Sequence, residues 1–234
     1  MNSFYCPNIT SDTFFLDEND SKHAVRVLRK VVGDEVQVVD GIGNRFICSI
    51  LSDHPKKCEL NIIERFMNDD DMGFQLHLAI APIKSLDRLE FMLEKVTEIG
   101  VSEISFILSD HCIKNKVNLE RAEKKVIAAM KQCLKAKKPI IHPMISYKEF
   151  MSKDWEGQKL IAHCEDFPKE SIKASYKKGG DAVLLIGPEG DFSLNEIKMA
   201  YAQDFEGIDL GKTRLRNETA GIVSVHAFHM INND

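Results

Sequence analysis

Two glycine-containing segments near the end of the chain hold the residue types that could bind a ligand and do chemistry. They are Leu185-Ile186-Gly187-Pro188-Glu189-Gly190 and Leu210-Gly211-Lys212-Thr213-Arg214-Leu215-Arg216-Asn217-Glu218-Thr219-Ala220. Each follows a short apolar run that predicts a buried strand, and each leads into a helical pattern. Strand ends that precede helix starts are where an open α/β sheet binds cofactors. We therefore expect both segments to be ligand loops.

The first segment connects a predicted strand, 182–186, to a predicted helix that starts near Ser193. Ser193 and Glu196 have the spacing of a capping box, in which each side chain accepts a hydrogen bond from the other residue's backbone. Glycine lets a backbone approach a ligand closely, and proline stiffens a turn. The segment is therefore either a ligand loop or an ordinary tight strand-to-helix turn.

The second segment contains a partial match to a phosphate-binding P-loop. Gly211-Lys212-Thr213 matches the end of that motif, but Glu206 stands where the motif requires glycine. The sequence also lacks the glycine fingerprint of a Rossmann dinucleotide site. The pattern thus excludes an NTPase. It leaves Arg216 and Glu218 beside a helix start, where Glu218 either complements the helix dipole or takes part in catalysis or ligand binding.

Charge is distributed unevenly along the chain. The net charge is −5, yet nine Lys and Arg residues are accompanied by only Glu120 and Glu123 between His111 and Lys138. A local basic face on an acidic chain indicates a polyanion partner such as RNA. The alternative is a solvated lysine-rich helix.

The cysteine pattern and the N-terminus bear on compartment and metals. The six cysteines form no CxxC pair, so we expect no metal and no redox pair. Scattered cysteines favour reduced thiols in a cytosolic protein. The first residues lack the features of a signal peptide, and no apolar run approaches the length of a membrane span. We therefore expect a cytoplasmic protein with no membrane partner.

The chain is predicted to contain two domains joined by a linker. Residues 1–68 combine one short helical stretch, 22–31, with strand patterns at 35–40, 45–50 and 58–63, which predicts a small β-barrel. The acidic stretch that ends at Gly73 predicts a linker at 69–73. In residues 74–234 strands and helices alternate, which predicts a mainly parallel α/β sheet covered on both faces. The predicted elements there span 75–81, 85–99, 103–108, 118–135, 159–163, 181–186, 193–202, 207–210 and 219–230.

The two C-terminal segments resemble motifs of the RsmE family of RNA methyltransferases, within the SPOUT class. That family carries a strand followed by G-P-E-G and, downstream, L-G-x-x-x-L-R-x-E-T, and both motifs stand here at 187–190 and 210–219. Val27-Leu28-Arg29 and Glu98-Ile99-Gly100-Val101 resemble further family segments, so the likeness covers nearly the whole chain. One departure is Asp191, where the family commonly has glycine. An acid is tolerated at a helix entrance, so we expect the loop to keep its form.

The resemblance implies a fold, a cofactor and an assembly. The C-terminal domain would be a SPOUT-type α/β domain with a trefoil knot around an S-adenosylmethionine site, preceded by a PUA-like β-barrel. Three loops would hold the cofactor, and such enzymes usually act as homodimers. The cofactor-binding residues implied are His163, Ile186, Gly187, Glu189, Gly190, Leu210, Gly211, Leu215, Thr219 and Ala220.

The resemblance also implies a reaction, because RsmE enzymes methylate N3 of a uridine in 16S ribosomal RNA. That nitrogen must lose its proton, which a base or a stabilising cation promotes. We predict that Arg216 is the cation that stabilises the uracil anion. Glu218 is either the base or, as we prefer, the residue that holds Arg216 in place.

RNA contacts are predicted on two helices. Lys22, Arg26 and Arg29 would share a face of the N-terminal helix, and Lys84 and Arg88 lie at the first long helix of the second domain. Such cations act mainly through phosphates. Two alternatives stay open: a SPOUT enzyme that acts on a tRNA or another base atom, and a non-enzymatic RNA-binding protein of ribosome assembly.

Overall fold

The computed structural model describes residues 3–69 and 72–233, which divide into two compact units. The first unit comprises Met1–Asp71 and Ile127–Lys138, and the second comprises Met72–Val126 and Pro139–Asp234. The sequence pattern predicts residues 127–138 within the C-terminal domain, whereas here they group with the N-terminal strands. Asp70 and Asp71 of the predicted linker lie outside the described residues, so the boundaries 1–68, 69–73 and 74–234 stay predictions.

The first unit is built on a mixed five-stranded sheet. Strand β1 pairs in parallel with β3, and the remaining pairs are antiparallel, in the order β1-β3-β4-β5-β2. Burial alternates along β4, where Phe46, Cys48 and Ile50 face the core, as a half-buried strand requires. This open half-barrel corresponds to the predicted PUA-like domain. Its strands are β1 (Ser3–Tyr5), β2 (Thr13–Phe15), β3 (Glu35–Val39), β4 (Arg45–Ser52) and β5 (Glu59–Phe66).

The N-terminal helix differs from its prediction at residues 22–31. Helix α1 (Glu18–Lys22) is capped by Asp17, whose side chain accepts a hydrogen bond from the backbone of Asp20. It continues as a π-helical turn, His23–Val27, and Arg29 then adopts a left-handed conformation with φ of 55°. Arg29 therefore lies beyond the helix, and the wider π turn breaks the predicted spacing of Lys22, Arg26 and Arg29 along one face.

The second unit contains a seven-stranded sheet whose pairs are all parallel, in the order β10-β12-β9-β11-β6-β7-β8. The predicted parallel α/β sheet is confirmed. The trefoil knot stays a prediction, because strand order alone does not test it. The strands are β6 (Leu76–Ile80), β7 (Glu103–Leu108), β8 (Ile140–Ser146), β9 (Gln158–Ala162), β10 (Glu170–Ser171), β11 (Ala182–Ile186) and β12 (Glu206–Asp209).

Helices cover both faces of this sheet. Leu78 and Ile80 of β6 pack toward Met92 and Phe228, whereas Val183 and Leu185 of β11 pack in a second cluster on the opposite face. Strands buried on both faces read as continuous apolar runs, which is why β6 and β11 were recognisable. The helices are α2 (Leu86–Ile99), α3 (Leu119–Gln132), α4 (Tyr147–Met151), α5 (Ile172–Ser175), α6 (Leu194–Tyr201) and α7 (Asn217–Asn233).

Among the described residues, no helix combines the length and the apolar character that a bilayer span requires.

Candidate functional site

A cleft lies at the carboxyl ends of β9, β11 and β12, within the second unit, and it encloses about 650 Å³ when the open solvent at its mouth is included. The loops that follow these three strands form its walls, and the first turn of α7 completes it. This is the edge at which open α/β sheets bind ligands. Eight of the predicted cofactor residues line the cleft: His163, Ile186, Gly187, Glu189, Leu210, Gly211, Leu215 and Ala220. Gly190 and Thr219 lie in the same segments but are not among the lining residues that the structure describes.

The loop after β11 is held in place by the start of α6. Ser193 and Glu196 form the predicted capping box, and Glu196 also accepts a hydrogen bond from the backbone of Asp110 at 2.9 Å. A Cβ at position 187 would lie 3.1–3.2 Å from the ring and backbone nitrogen of Phe192. A side chain at position 187 would therefore press on Phe192, which is buried and would have to shift by a few tenths of an ångström.

Asp191, which stands where the family commonly has glycine, makes contacts that a glycine could not make. It adopts φ of 65°, a left-handed conformation that aspartate tolerates better than most residues. Its carboxylate accepts hydrogen bonds from the backbone of Cys164 at 2.6 Å and from its own neighbour Phe192 at 2.7 Å. The side chain thus joins the loop after β9 to the loop after β11. Glycine could adopt the turn but could not make this connection.

The loop after β12 is ordered by two further hydrogen bonds. Asp209 accepts from the backbone of Gly211 at 2.7 Å, and Gly211 has φ of 120°, which side chains rarely allow. Arg214 donates to the carbonyl of Glu189 at 3.2 Å, which joins this loop to the one after β11. Lys212 is exposed and is not among the lining residues. The segment therefore forms one wall of the cleft, and the hydrogen bond to Asp209 at the end of β12 helps to fix its conformation.

Two polar groups of residues that line the cleft are buried without a hydrogen-bond partner among the residues that the structure describes. The side chain of Asn217 is buried, and neither its Nδ2 nor its Oδ1 is hydrogen-bonded among the described residues. The Nδ1 of His163 is also buried and unpartnered there. Buried polar groups are normally satisfied, so these atoms indicate a ligand. Asn217 offers a donor and an acceptor, and the sequence reading missed it because it occupies the variable position of the motif.

The hydrogen bonds around His163 fix its tautomer. Tyr201 donates its hydroxyl to the carbonyl of Pro168, and its oxygen lies 3.1 Å from Nε2 of His163. Nε2 must therefore carry the proton, so Nδ1 is an acceptor. Burial is the main cause that lowers the pKa of His163, which keeps the ring neutral. The neutral His163 and the Asn217 amide thus both belong to residues that line the cleft.

The predicted catalytic residues lie at the start of α7. Arg216 is exposed, and its carbonyl accepts the first backbone hydrogen bond of the helix, from Ala220 at 2.8 Å. It stands between Leu215 and Asn217, both of which line the cleft. Glu218 is buried, and its carboxylate lies 3.5 Å from Nε of Arg88. The partner of Glu218 in the structure is therefore Arg88, whereas the prediction paired it with Arg216.

The predicted RNA-contacting residues fall in both units. Lys84 and Arg88 are exposed around the start of α2, within the same unit as the cleft. Lys22, Arg26 and Arg29 are exposed in the first unit, although not on one helical face. Ion pairs reduce the free charge of the basic stretch 111–138, because four of its cations contact carboxylates: Arg121, Lys124, Lys125 and Lys131.

Sequence reasoning also missed several cleft residues besides Asn217. Cys164, Thr213 and Arg214 line the cleft, as do Asp191 and Asp209. Position was the available signal, since each lies in a loop directly after a predicted strand. Their individual contacts depend on loop conformation, which residue types alone do not fix.

Comparison with known proteins agrees with the fold and the cleft. A family profile described as the RNA methyltransferase domain matches residues 70–229, and one described as the RNA methyltransferase PUA domain matches 16–63. The crystal structure of a probable rRNA-methyltransferase from Porphyromonas gingivalis is 35% identical, with a TM-score of 0.93, and the match covers 100% of this chain and 99% of that one.

Two relatives carry a more specific name. Ribosomal RNA small subunit methyltransferase E from Neisseria gonorrhoeae, solved bound to S-adenosyl methionine, is 28% identical with a TM-score of 0.88, and the match covers 99% and 98% of the two chains. The protein of the same name from Rickettsia conorii is 28% identical over 85% of this chain and 82% of its own length.

The second unit contains a parallel sheet with a cleft at its carboxyl edge, and the RNA methyltransferase profile matches most of the chain. These features define an RNA-modifying enzyme of the α/β type. The chain belongs to the RNA methyltransferase family, and its resemblance to the RsmE branch is confirmed by the relatives of that name.

Proposed function

We propose that this protein uses S-adenosylmethionine to methylate N3 of a specific uridine in the 16S RNA of the small ribosomal subunit. The observation that carries the proposal is the three-loop cleft with its buried Asn217 amide, which has no hydrogen-bond partner in the described part of the chain. The similar Neisseria gonorrhoeae protein, solved with S-adenosyl methionine bound, supports the choice of ligand.

The cleft residues fit an adenosyl ligand by their chemistry. Such a ligand combines an apolar ring face with hydrogen-bonding edges, and Leu210, Leu215 and Ala220 supply apolar wall. The Asn217 amide and Nδ1 of His163 supply the donor and acceptors that are otherwise buried without partners. A few convergent polar groups in a mostly apolar pocket are typical of cofactor sites. We assign cofactor binding to these residues together with Ile186, Gly187, Glu189, Gly190, Gly211 and Thr219.

The chain's contribution to the reaction is to make uracil N3 a nucleophile. S-adenosylmethionine would supply the methyl group of its sulfonium. The bond from sulfur to this methyl group would break as N3 forms the new N–C bond, and the rest of the cofactor would leave as a neutral thioether. N3 must first give up its proton, which passes to solvent water, and the fixed charge of Arg216 stabilises the uracil anion that results. Glu218 holds Arg88 at the entrance of α2, which places a second cation beside the start of α7.

The RNA substrate is bound mainly through its phosphates. Lys84 and Arg88 are the cations of the second unit that we assign to this role, and Lys22, Arg26 and Arg29 act from the PUA-like domain. We assign that domain to residues 1–68 and the methyltransferase domain to 74–234.

The active form that we propose is a cytoplasmic homodimer. Val223 and Met230 are seven residues apart on α7 and exposed, so one face of this helix presents apolar side chains to solvent. A second copy of the chain would cover this face.

The experiment that tests the function supplies radiolabelled S-adenosylmethionine with unmethylated 30S subunits, free 16S RNA or bulk tRNA. We expect label in the 16S RNA and none in the tRNA. Label in the tRNA alone would support the other SPOUT activity, and binding of RNA without any transfer would support a non-enzymatic role in assembly.

Asn217 allows a test in which two effects have opposite signs. Replacing Asn217 with alanine removes a buried amide for which the described residues offer no partner, so we expect the free energy of unfolding without ligand to rise by about 1 kcal/mol. The affinity for S-adenosylmethionine is expected to fall about 10-fold, which corresponds to ~1.4 kcal/mol. Chemical denaturation and calorimetric titration measure the two quantities.

The control for this variant is Asn195→Ala, an exposed asparagine near the start of α6. It should change neither quantity appreciably, since surface substitutions usually stay within about 0.5 kcal/mol. Unchanged cofactor affinity in Asn217→Ala would remove Asn217 from the binding site.

A further inference from the structure

Three side chains with metal-binding chemistry converge on three neighbouring strands of the second unit. His77 is the second residue of β6, Glu103 is the first of β7, and His142 is the third of β8. In the strand register His77 stands directly opposite Glu103. The group lies toward the amino-terminal ends of β6 and β7, whereas the cofactor cleft lies at the carboxyl ends of other strands. It is therefore separate from the site described above.

The three side chains bring their ligand atoms together. Oε2 of Glu103 lies 2.5 Å from Nε2 of His142 and 3.8 Å from Nδ1 of His77. One ligand atom from each residue falls within 4.8 Å of the others. A tetrahedral zinc ion with bonds of about 2.0–2.1 Å separates its ligands by about 3.3 Å. Glu103 and His142 are more than one-third exposed, so their short contact can open to that spacing.

Ser105 orients one of the imidazoles. Its hydroxyl oxygen lies 2.8 Å from Nε2 of His77, and both residues are buried. When Nε2–H donates to this oxygen, the lone pair of Nδ1 is directed to the side of Glu103. Metal-binding histidines generally hold their second nitrogen in this way, with an outer hydrogen-bond partner. The rings of His77 and His142 stack with their centroids 5.3 Å apart and their planes at 24°, so the half-exposed His142 must turn for both imidazoles to face one ion.

The surroundings keep His77 able to bind a metal. Burial is the main cause that lowers the pKa of His77 to about 4, so the ring is neutral near pH 7. The charged groups that face it are Glu103, His142 and Lys153, of which the carboxylate favours a cation and the lysine opposes one. Trp155 covers one side, with ring centroids 4.9 Å apart. The cluster thus combines two imidazoles with the carboxylate of Glu103, at a pocket that Glu156 and Asp181 also line.

We propose that His77, Glu103 and His142 form a site for a divalent metal ion of the zinc class, with water as the fourth ligand. Two imidazoles and one carboxylate suit zinc, and three protein ligands leave one position for solvent. The ion would join β6, β7 and β8, so its role is to stabilise the sheet. Because the site stands apart from the cofactor cleft, methyl transfer is expected to proceed with or without the ion. The absence of a CxxC pair gave no hint of it, since its ligands come from three separate strands.

Trp155 is the only tryptophan of the chain and reports on the site directly. The experiment titrates chelator-treated full-length protein with Co²⁺ and follows tryptophan fluorescence, then adds Zn²⁺. We expect Co²⁺, which is paramagnetic, to quench Trp155 with a stoichiometry of one, and Zn²⁺ to reverse the quenching. Zn²⁺ should also raise the melting temperature, because a ligand that binds only the folded state stabilises it.

Variants of the half-exposed ligands test the assignment without disturbing the core. His142→Ala and Glu103→Gln are each expected to weaken Zn²⁺ binding more than about 100-fold, beyond the 10- to 100-fold range of outer-sphere changes, and Ser105→Ala about 10-fold. His54→Ala removes an exposed histidine of the first unit, and Cys164→Ser removes the exposed thiol. Neither should change the quenching.

The fluorescence and melting results distinguish a metal site from a simple ion pair between His142 and Glu103. Absence of quenching and of any zinc-dependent shift in the wild-type protein would show that His142 and Glu103 form only an ion pair. Quenching that survives in both His142→Ala and Glu103→Gln would equally overturn the proposal. Neither outcome bears on methyl transfer, so the proposed function stands or falls separately.

Discussion

Replacing Arg216 with alanine is expected to lower the rate of methyl transfer by about 10²- to 10³-fold, the usual effect of losing one group that stabilises a developing anion. Arg216 is exposed at the start of α7 between two residues of the cleft wall, so its charge is available to a substrate base. Cofactor affinity should change little, because the guanidinium is not part of the wall. Single-turnover assays with saturating S-adenosylmethionine and RNA measure the effect.

A pH profile distinguishes this role from a structural one. Without Arg216 the uracil anion loses its stabilising charge, so the remaining rate should rise more steeply with pH than in the wild type, as solvent removes the N3 proton. Arg214→Ala is the matched comparison, since Arg214 is also exposed and its guanidinium donates to the carbonyl of Glu189. We expect Arg214→Ala to affect cofactor affinity more than rate. A full rate in Arg216→Ala with a large loss in Arg214→Ala would transfer the role to Arg214.

Replacing Gly211 with alanine is expected to weaken S-adenosylmethionine binding by about 10- to 100-fold, or ~1.4–2.8 kcal/mol. A Cβ at position 211 meets no atom within 4 Å, so crowding plays no part. The cause is the backbone, whose φ of 120° an alanine cannot adopt without strain. The loop after β12 would therefore shift, and the cleft residues that it carries would move away from the cofactor. Calorimetric titration measures the affinity.

Gly179→Ala provides a control for this strain. Gly179 also has a positive φ, 79°, and open space around its Cβ position, but it is not among the residues that line the cleft. Both variants are expected to lose about 1–2 kcal/mol in the free energy of unfolding. Only Gly211→Ala should lose affinity for the cofactor. An equal loss of cofactor affinity in both variants would mean that Gly211→Ala weakens binding only through its general effect on stability.

Much of the second unit was predictable because its strands are buried on both faces. Three strands, β6, β7 and β11, can be recognised from their apolar composition. The start of α6 can be recognised from the capping-box spacing of Ser193 and Glu196. Strand β8 was missed, since its sequence includes Pro143, which cannot donate to a ladder. The structure places β8 at the edge of the sheet, where proline is tolerated.

The candidate site was predictable in position and less so in its contacts. Motif spacing identified the loops after β11 and β12, and parallel topology brings them together. The link from Asp191 to Cys164 depends on a left-handed backbone that residue type only permits. Glu218 was predicted to be either a base or, as preferred, the residue that holds Arg216, two positions before it, whereas in the structure Arg88 of α2 lies 3.5 Å from its carboxylate. Contacts across elements of this kind follow from packing and not from local pattern.

The most direct test of the central claim identifies the nucleoside that the protein produces. Unmethylated 30S subunits are incubated with S-adenosylmethionine and either the wild-type protein or Arg216→Ala, and the digested 16S RNA is analysed by chromatography and mass spectrometry against standards. The account predicts a single new nucleoside, N3-methyluridine, formed by the wild type and nearly absent with Arg216→Ala. A methyl group at a carbon, at a ribose oxygen or on another base would contradict it.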